Sequence, residues 1–349
     1  MRSSYSNEDV VLLLKDITGM VEPQPTEERE RLIQAGKHYS EMLPIEYVPT
    51  EKYMKVYYEA LKNYAKVVAN AVGTLSDKII KEKGNNVVLV SLARAGIPIG
   101  ILVKHYIKFK YNLDVPHYAI SIIRGRGIDD NAMKYLLDKY EANQLLFVDG
   151  WIGKGAILNE LKKDISAYDG VSADIAVIAD PANVTELCGT HEDILIPSSC
   201  LNSTVSGLVS RTFLRDDIIG KEDFHGAVYY ENLVDSDLSY DFIEAIEKEF
   251  LLENQNDGLV IEGQGVDEVR EIGNKFGIDD INLIKPGIGE ATRVLLRRVP
   301  WKVLIDERYK GDPQLGHLVR LAEEKNVPIE YYPLRHYKCC GIIKKLADA

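Results

Sequence analysis

An aspartate followed by a glycine-rich turn occupies the segment LLFVDGWIGKGAI, residues 145–157. Asp149 ends an apolar run typical of a buried strand, and Gly153, Lys154 and Gly155 lead into a helical pattern. Backbone amides beside a helix N-terminus bind phosphate, and a lysine adds positive charge. An aspartate at the strand end can accept hydrogen bonds from sugar hydroxyls. The segment is a candidate sugar-phosphate site, although a tight strand-to-helix turn also uses glycine without any ligand.

Two more loops that suit anions follow apolar strand patterns. In SLARAGIPIG, Arg94, Ala95 and Gly96 form a small turn, and in SIIRGRGIDD the glycine-flanked Arg124 and Arg126 form a loop that we expect to be mobile. Either loop arginine alone is more often a surface charge. Ligands of parallel sheets bind beyond the carboxyl ends of the strands. Three such loops on successive strands therefore predict one anion site.

The elements that must position these loops are strands alternating with helices. Continuous β-rich apolar runs between residues 85 and 180 alternate with helical patterns, which predicts an α/β fold with a parallel sheet covered on both faces. Residues 51–84 predict one long helix ending near Gly84. Residues 1–50 predict a helical extension, with a short helix at NEDVVLLLKDI and a second at TEERERLIQAGKHYSEM.

Composition bounds the class of protein. The chain has 349 residues, 46% of them hydrophobic, and a net charge of −12, which opposes nonspecific binding of nucleic acid. Residues 258–349 carry 15 Lys and Arg against 14 Asp and Glu, so this part is near neutral and the remainder acidic. We therefore expect an extension over 1–50, an α/β domain over 51–250 and a smaller domain over 258–349. The lack of a membrane-spanning run and of CxxC spacing predicts a cytoplasmic protein.

The three loops resemble the signature of type I phosphoribosyltransferases. The LARAG turn is similar to their pyrophosphate-binding loop, especially that of uracil phosphoribosyltransferases, and RGRG takes the place of their flexible catalytic loop. The chain departs from the signature in two respects. The usual second acid is Gly150, and the small hydroxyl residues of the turn are replaced by Gly153, Lys154, Ala156 and Ile157.

The resemblance implies a phosphoribosyltransferase-like sheet that binds phosphoribosyl pyrophosphate and a nucleobase-like acceptor. Mg²⁺ is expected to enter with the donor, bound through the donor's oxygens, and no metal site on the protein itself is predicted. The implied roles are catalysis by Arg124 and Arg126, ribose-phosphate binding by Asp149, Gly153, Lys154 and Gly155, and pyrophosphate binding by Arg94, Ala95 and Gly96.

A hydroxyl-rich stretch, IPSSCLNSTVSGLVSRTFL, covers residues 196–214. Its Ser206, Ser210 and Arg211 are candidate contacts to the base, since this side of the pocket varies among phosphoribosyltransferases. The alternative is that the stretch is a polar loop without a ligand.

The C-terminal segment GIGEATRVLLRRVPWKVLID resembles the Pelota superfamily of kink-turn RNA-binding domains. There a Gly-x-Asn-Glu-like turn opens a helix and meets bent RNA; the matching residues here are Gly287, Gly289, Glu290, Thr292 and Arg293. Glu290 can accept from a guanine edge, and Arg293 can pair with phosphate. The alternative is a glycine helix cap that binds nothing.

The two modules together resemble one family, phosphoribosyltransferases with a C-terminal Pelota domain linked to the tellurium-resistance (Ter) stress operon. Some members carry the label cysteine protease StiP. The resemblance implies a transferase that makes or exchanges a ribonucleotide or ribonucleoside in a stress response, with structured RNA as a partner. We also expect a homo-oligomer.

Two other functions stay open. The first is a non-catalytic RNA-binding protein that senses a nucleotide. The second is a cysteine protease, which needs a thiolate beside a histidine. The candidate pairs are Cys188 with His191, and Cys339 or Cys340 with His336.

Overall fold

The computed structural model describes residues 1–255 and 262–345. Its strands are β1 (Val11–Leu12), β2 (Lys15–Asp16), β3 (Val88–Ala93), β4 (His117–Ile123), β5 (Gly127–Ile128), β6 (Leu145–Trp151), β7 (Ile175–Ala179), β8 (Cys188–Thr190), β9 (Gly226–Ala227), β10 (Ile284–Pro286), β11 (Pro300–Ile305), β12 (Ile329–Tyr331) and β13 (Cys339–Ile343). Its α-helices are α1 (Thr26–Gln34), α2 (Glu51–Lys83), α3 (Gly96–Tyr111), α4 (Asp130–Leu137), α5 (Ala156–Ile165), α6 (Ser239–Glu247), α7 (Gly265–Phe276), α8 (Ile288–Arg297) and α9 (Gly316–Glu324).

The main sheet has the strand order β1-β4-β3-β6-β7-β8, and all neighbours in it are parallel. One face packs against α2 and α3, and the other against α4 and α5. The central strands are buried on both faces, which explains their continuous apolar runs. The prediction of a parallel α/β sheet with helices on both faces is confirmed.

The long helix predicted over residues 51–84 is also confirmed. Helix α2 runs from Glu51 to Lys83, and Gly84 ends it with a φ of +71°, a conformation that favours glycine. Tyr57 and Tyr64 on this helix are fully buried. These two tyrosines therefore serve packing, whereas Tyr58 on the same helix is exposed.

The prediction of a short helix at NEDVVLLLKDI is wrong. The segment forms strand β1, which extends the main sheet beside β4, and strand β2, which pairs with β9. Val10, Leu12, Leu13 and Leu14 are all buried, so the chain is covered on two sides. A short apolar run of this kind has no periodicity that separates a buried strand from a helix. The second helix of the predicted extension is α1, which is shorter than predicted and is followed by a single 3-10 turn over Tyr39–Glu41.

The C-terminal unit has a second sheet in the order β10-β13-β11-β12, in which only β11 and β12 are parallel. Helix α7 packs on one face in its own small core, and α8 contacts the sheet through β13. The central strand β13 comes from the segment KCCGIIKK, for which no strand was predicted. The sequence also predicts a strand at GLVIEG, residues 258–263, of which 258–261 lie outside the described residues.

The two units share one hydrophobic core. Side chains of α8 and α9, among them Ile288, Ala291 and Leu318, belong to the same buried cluster as side chains of α2 and α3. The C-terminal unit is therefore packed firmly against the main sheet domain. None of the helices in the described ranges is long and apolar enough to span a bilayer.

Candidate functional site

A cleft of about 260 Å³ opens at the carboxyl ends of the parallel strands. The end of β3 with the turn that follows it, the end of β6, residues 198–212 and α8 of the C-terminal unit all contribute lining residues. Its lining residues are Tyr39, Leu92, Ala93, Arg94, Ala95, Pro98, Ile122, Asp149, Trp151, Ile157, Ser198, Leu201, Asn202, Val205, Ser206, Arg211, Thr212 and Arg293. The cleft thus lies at the sheet edge where the sequence predicted the site.

Asp149 lies in the cleft near the end of β6. Its carboxylate accepts a hydrogen bond of 2.7 Å from the Gly150 amide, and burial raises its pKa from 3.8 to about 7. Gly96 begins α3 directly beside this strand, and a Cβ there would lie 2.5 Å from the Val148 carbonyl oxygen. Only glycine allows α3 to start so close to the strand that carries Asp149.

Arginines dominate the charge of the cleft. Arg94 follows a cis peptide bond after Ala93, and its guanidinium donates to the Val209 carbonyl at 2.9 Å. The Arg211 guanidinium lies 5.4 Å from the centre of the Tyr39 ring. Burial first, and then the positive charges of Arg29, Arg94 and Arg293, lower the pKa of Arg211 to about 10. In the described parts of the chain, neither Arg211 nor Arg293 pairs with a carboxylate. The cleft is therefore an electropositive site with a single aspartate.

The candidate base contacts are placed differently from one another. Ser206 lines the cleft, and its hydroxyl donates to the Asn202 carbonyl at 2.8 Å. Ser210 is fully buried, donates to the Arg211 carbonyl and accepts from the Val228 amide, so its hydroxyl serves the loop. Of the three predicted residues, the structure brings Ser206 and Arg211 into the cleft.

Arg124 and Arg126 lie at the tip of the β4–β5 hairpin and do not line the cleft. Their loop is held at several points: the Arg124 amide donates to the Tyr39 hydroxyl at 3.0 Å, and the Gly125 amide donates to Glu160 at 3.0 Å. The Arg126 guanidinium forms an ion pair with Glu41. The hairpin thus touches Tyr39, which lines the cleft, while both arginines lie beside it.

The glycine turn after β6 contacts the C-terminal unit. The Lys154 ammonium donates to the carbonyls of Ile281 at 2.7 Å and Ile284 at 3.0 Å, and burial lowers its pKa to about 8. The Gly153 carbonyl accepts from the Tyr337 hydroxyl at 2.7 Å. Lys154 therefore binds backbone of the second unit and not the cleft. Gly155, with a φ of +83°, only begins α5.

The predicted RNA-binding turn also faces the main sheet domain. Asp193 accepts from the Ile288 amide at 2.9 Å and from the Lys338 amide at 2.8 Å. Cβ atoms at Gly287 and Gly289 would lie 3.1 Å from Asp193 and 3.2 Å from Ser199, respectively. The turn is therefore packed against the first unit in this arrangement.

The remaining members of the predicted RNA motif are placed in three different surroundings. Thr292 is fully buried and donates to the Ile288 carbonyl at 2.7 Å, whereas Arg293 reaches the cleft. Glu290 is half-buried beside Gly153. In the docked arrangement, Thr292 is thus out of reach of RNA.

Several lining residues were not predicted from the sequence. Trp151 lies within the LLFVDGWIGKGAI segment, so its position beside Asp149 could have identified it as a lining residue. Ser198 and Asn202 belong to the hydroxyl-rich stretch 196–214 that the sequence indicated, although only Ser206, Ser210 and Arg211 were named from it. Tyr39 lies far from the three loops in the sequence. Asp193, which joins the units, lies in an ordinary polar-to-apolar stretch.

One of the two candidate cysteine–histidine pairs is formed. The Cys188 sulfur lies 3.4 Å from His191 Nε2, and His191 Nδ1 lies 2.9 Å from the Asp180 carbonyl oxygen. The thiol is fully buried at the edge of the sheet. His336 bonds instead to Glu268 at 3.0 Å, and burial raises the pKa of the Cys340 thiol to about 12.

Comparisons with known proteins cover almost the whole chain. A family described as "Tellurite-like stress resistance cysteine protease StiP" matches residues 3–247, and one described as "PELOTA RNA binding domain" matches residues 263–345. A protein named "Cysteine protease StiP" from Acinetobacter baylyi is 34% identical over 365 residues, which is 98% of this chain and 94% of that protein.

Solved structures give a much weaker likeness. A hypoxanthine-guanine phosphoribosyltransferase from Bacillus anthracis is 16% identical, with a TM-score of 0.26 over 36% of this chain and 71% of that one. A hypoxanthine-guanine-xanthine phosphoribosyltransferase is 12% identical, with a TM-score of 0.25 over 36% of this chain and 68% of that one. Scores this low establish neither fold nor activity. The sequence relationships alone decide the family: the chain belongs to the tellurite-like stress resistance StiP family and carries a Pelota RNA-binding domain at residues 263–345.

Proposed function

We propose that the cleft binds phosphoribosyl pyrophosphate and that the protein transfers the phosphoribosyl group to a nucleobase-like acceptor. The observation that carries the proposal is the charge of the cleft. Arg94, Arg211 and Arg293 surround it, and among the described residues only Asp149 supplies a lining carboxylate. A ligand with several phosphate charges and a hydroxylated sugar would complement this arrangement.

In this proposal each part of the cleft has its own role. Arg94 and the backbone amides of Ala95 and Gly96 hold the pyrophosphate, and Asp149 accepts hydrogen bonds from the ribose hydroxyls. As the bond from the anomeric carbon to pyrophosphate breaks, the sugar gains oxocarbenium character. Fixed guanidinium groups stabilise the leaving pyrophosphate without reorganising, which lowers the barrier. The acceptor nitrogen then bonds to the anomeric carbon as the bond to pyrophosphate breaks, and the nitrogen's proton passes to water or to the departing pyrophosphate.

Magnesium enters this scheme with the donor. In the described part of the chain, no group of three or more His, Cys, Asp or Glu side chains is placed to hold a metal ion. Among the described residues that line the cleft, Asp149 is the only carboxylate that could contact an ion bound to the donor. Mg²⁺ keeps most of its ligands as water and substrate oxygens, so a single carboxylate suits this role. The ion would neutralise part of the donor's charge.

The hairpin of Arg124 and Arg126 would act as the cover of the cleft. Its tip contacts Tyr39, so a small shift of the hairpin would carry the arginines toward the donor. Closing it would exclude water, which otherwise hydrolyses the donor. The C-terminal domain would add an RNA partner, consistent with the family that matches residues 263–345.

The test is pyrophosphate release from phosphoribosyl pyrophosphate and Mg²⁺, measured across a panel of bases and ribonucleosides. We expect release with at least one acceptor, and a loss of at least about tenfold in Arg94→Ala. Arg270→Ala is the matched control, because Arg270 is exposed on α7 and its ion-pair partner among the described residues is nearby Asp267. Donor binding without release for any acceptor would support a nucleotide sensor instead.

A second candidate function is proteolysis, which the name of the matched family indicates. The observation in its favour is the Cys188–His191 pair: the histidine turns Nδ1 to the Asp180 carbonyl oxygen and Nε2 to the sulfur. Complete burial of the thiol opposes it, since a peptide bond must reach the sulfur. Labelling of the native protein with a thiol reagent tests accessibility. Rapid modification of wild type that is absent in Cys188→Ala, together with loss of peptide cleavage, would favour the protease.

A further inference from the structure

The C-terminal unit contributes a charged side chain to the cleft of the first unit. Arg293 projects from α8 and lines the cleft together with Arg94, Asp149 and Arg211. The sequence placed Arg293 in the RNA-binding motif instead. This position raises the question of what a guanidinium from the second domain does in the cleft.

The helix that carries Arg293 is fixed against the first unit at both ends. At its start, Asp193 accepts from the Ile288 amide. Near its end, the Arg297 guanidinium donates to the Cys200 carbonyl at 2.9 Å and to the Asn202 side chain. Ile288, Ala291 and Leu295 are fully buried in the shared core. The backbone at Arg293 is therefore held in place, as a binding residue requires.

In the part of the chain that the structure describes, the guanidinium groups in and beside the cleft outnumber the carboxylates that face them, which are Asp149 in the lining and Glu46 near Arg297. Arg211 and Arg297 both have a pKa lowered to about 10, by burial first and then by neighbouring guanidinium groups, including Arg293. Among residues 1–255 and 262–345, Arg293 has neither a hydrogen-bond partner nor an ion-pair partner for its side chain. Guanidinium groups held close together with too few counter-charges cost free energy unless an anion binds between them. The arrangement is that of an anion site.

We infer that Arg293 binds an anionic group of the cleft's ligand, so that the site is completed by the C-terminal domain. The chemical class of this group is a phosphate or pyrophosphate, which several arginines can bind at once. The inference rests on the proposed function and adds to it: the donor is held by residues of both units. Ligand binding therefore favours the docked position of the C-terminal domain, by linkage.

The test is calorimetric titration of the full-length protein with inorganic pyrophosphate, with and without Mg²⁺. We expect Arg293→Gln to raise the Kd at least about tenfold, because one charge-assisted contact is lost. Arg293→Lys keeps the charge and should recover part of the affinity. Arg270→Gln, which removes a charge from the exposed face of α7, should bind as wild type does.

The thermal stability of the variants separates binding from folding. Without ligand, Arg293→Gln should melt at or above the temperature of wild type, since a repelling charge is removed. Pyrophosphate should raise the melting temperature of wild type more than that of this variant. If wild type binds pyrophosphate and Arg293→Gln binds it equally well, the inference is overturned while the proposed function stands. If wild type binds neither pyrophosphate nor phosphoribosyl pyrophosphate, both fail.

Discussion

Replacing Asp149 with asparagine should make the ligand-free protein more stable at alkaline pH. Asparagine keeps the shape of the side chain and can still accept the hydrogen bond from the Gly150 amide. What it removes is a charge held in a cleft where burial raises the carboxyl pKa to about 7 from 3.8. Binding sites often carry such a cost in stability.

The sign and size of the effect follow from proton linkage. Below about pH 4 the carboxyl is protonated in the folded and unfolded chains, and Asp149 costs nothing. Between about pH 4 and pH 7 the unfolded chain loses the proton first, so stability falls as pH rises, and the cost is complete above pH 7. A shift of about three pH units corresponds to a ceiling of about 4 kcal/mol. Because solvent enters the cleft and the carboxyl is half-buried, the expected destabilisation by Asp149 is half of this ceiling, ~2 kcal/mol.

The assay is scanning calorimetry of wild type and Asp149→Asn without ligand. At pH 8 the variant should melt about 4 °C higher, and at pH 4.5 the two should nearly coincide. Asp235→Asn is the control, because it removes the same charge from an exposed position. The variant should also lose at least about tenfold in affinity for phosphoribosyl pyrophosphate, since an amide is a poorer acceptor for ribose hydroxyls. Equal melting temperatures at pH 8, or a less stable variant there, would refute the reasoning.

Three further predictions follow from the site and the contact between the units. Asp193→Ala leaves the Ile288 and Lys338 amides without an acceptor, so urea denaturation should show a free energy of unfolding lower by about 2–4 kcal/mol. The same variant should bind kink-turn RNA more tightly, because the Gly287 turn is freed. An unchanged free energy of unfolding would contradict the role of Asp193. Gly96→Ala brings a methyl group against the Val148 carbonyl, so donor affinity should fall at least about tenfold in calorimetry, and wild-type affinity would contradict this packing. Arg124→Ala should lower kcat more than it raises KM if the hairpin acts on the leaving pyrophosphate, whereas a change in KM alone would restrict it to capturing the donor.

Much of the sheet could be predicted because its strands are buried on both faces. Strands β3, β4, β6 and β7 are rich in Val, Ile, Leu and Ala, and polar residues of the site lie at or just after the ends of β3 and β6. The prediction of a helix at the edge strand β1 was wrong, because a strand of two residues is too short to show the alternation of apolar and polar residues. Strand β13 was missed because its two cysteines gave no β signal, although they are buried at the centre of the second sheet.

The site could be predicted only where one loop supplies its own residues. Asp149, Arg94 and Gly96 lie in the cleft or support it as their local sequence indicates. Lys154 and Arg293 could not be assigned this way, because their surroundings depend on how the two units pack. Lys154 donates hydrogen bonds to the second unit, and Arg293 lines the cleft of the first. Packing between domains leaves no regular pattern in the sequence of either partner.

The most direct test of the central claim is calorimetric titration of the full-length protein with phosphoribosyl pyrophosphate and Mg²⁺ at pH 8. The account predicts saturable binding of one donor per chain. It also predicts a loss of affinity of at least about tenfold in Arg94→Ala and none in Arg270→Ala. No heat of binding in wild type, or equal affinity in wild type and Arg94→Ala, would contradict it.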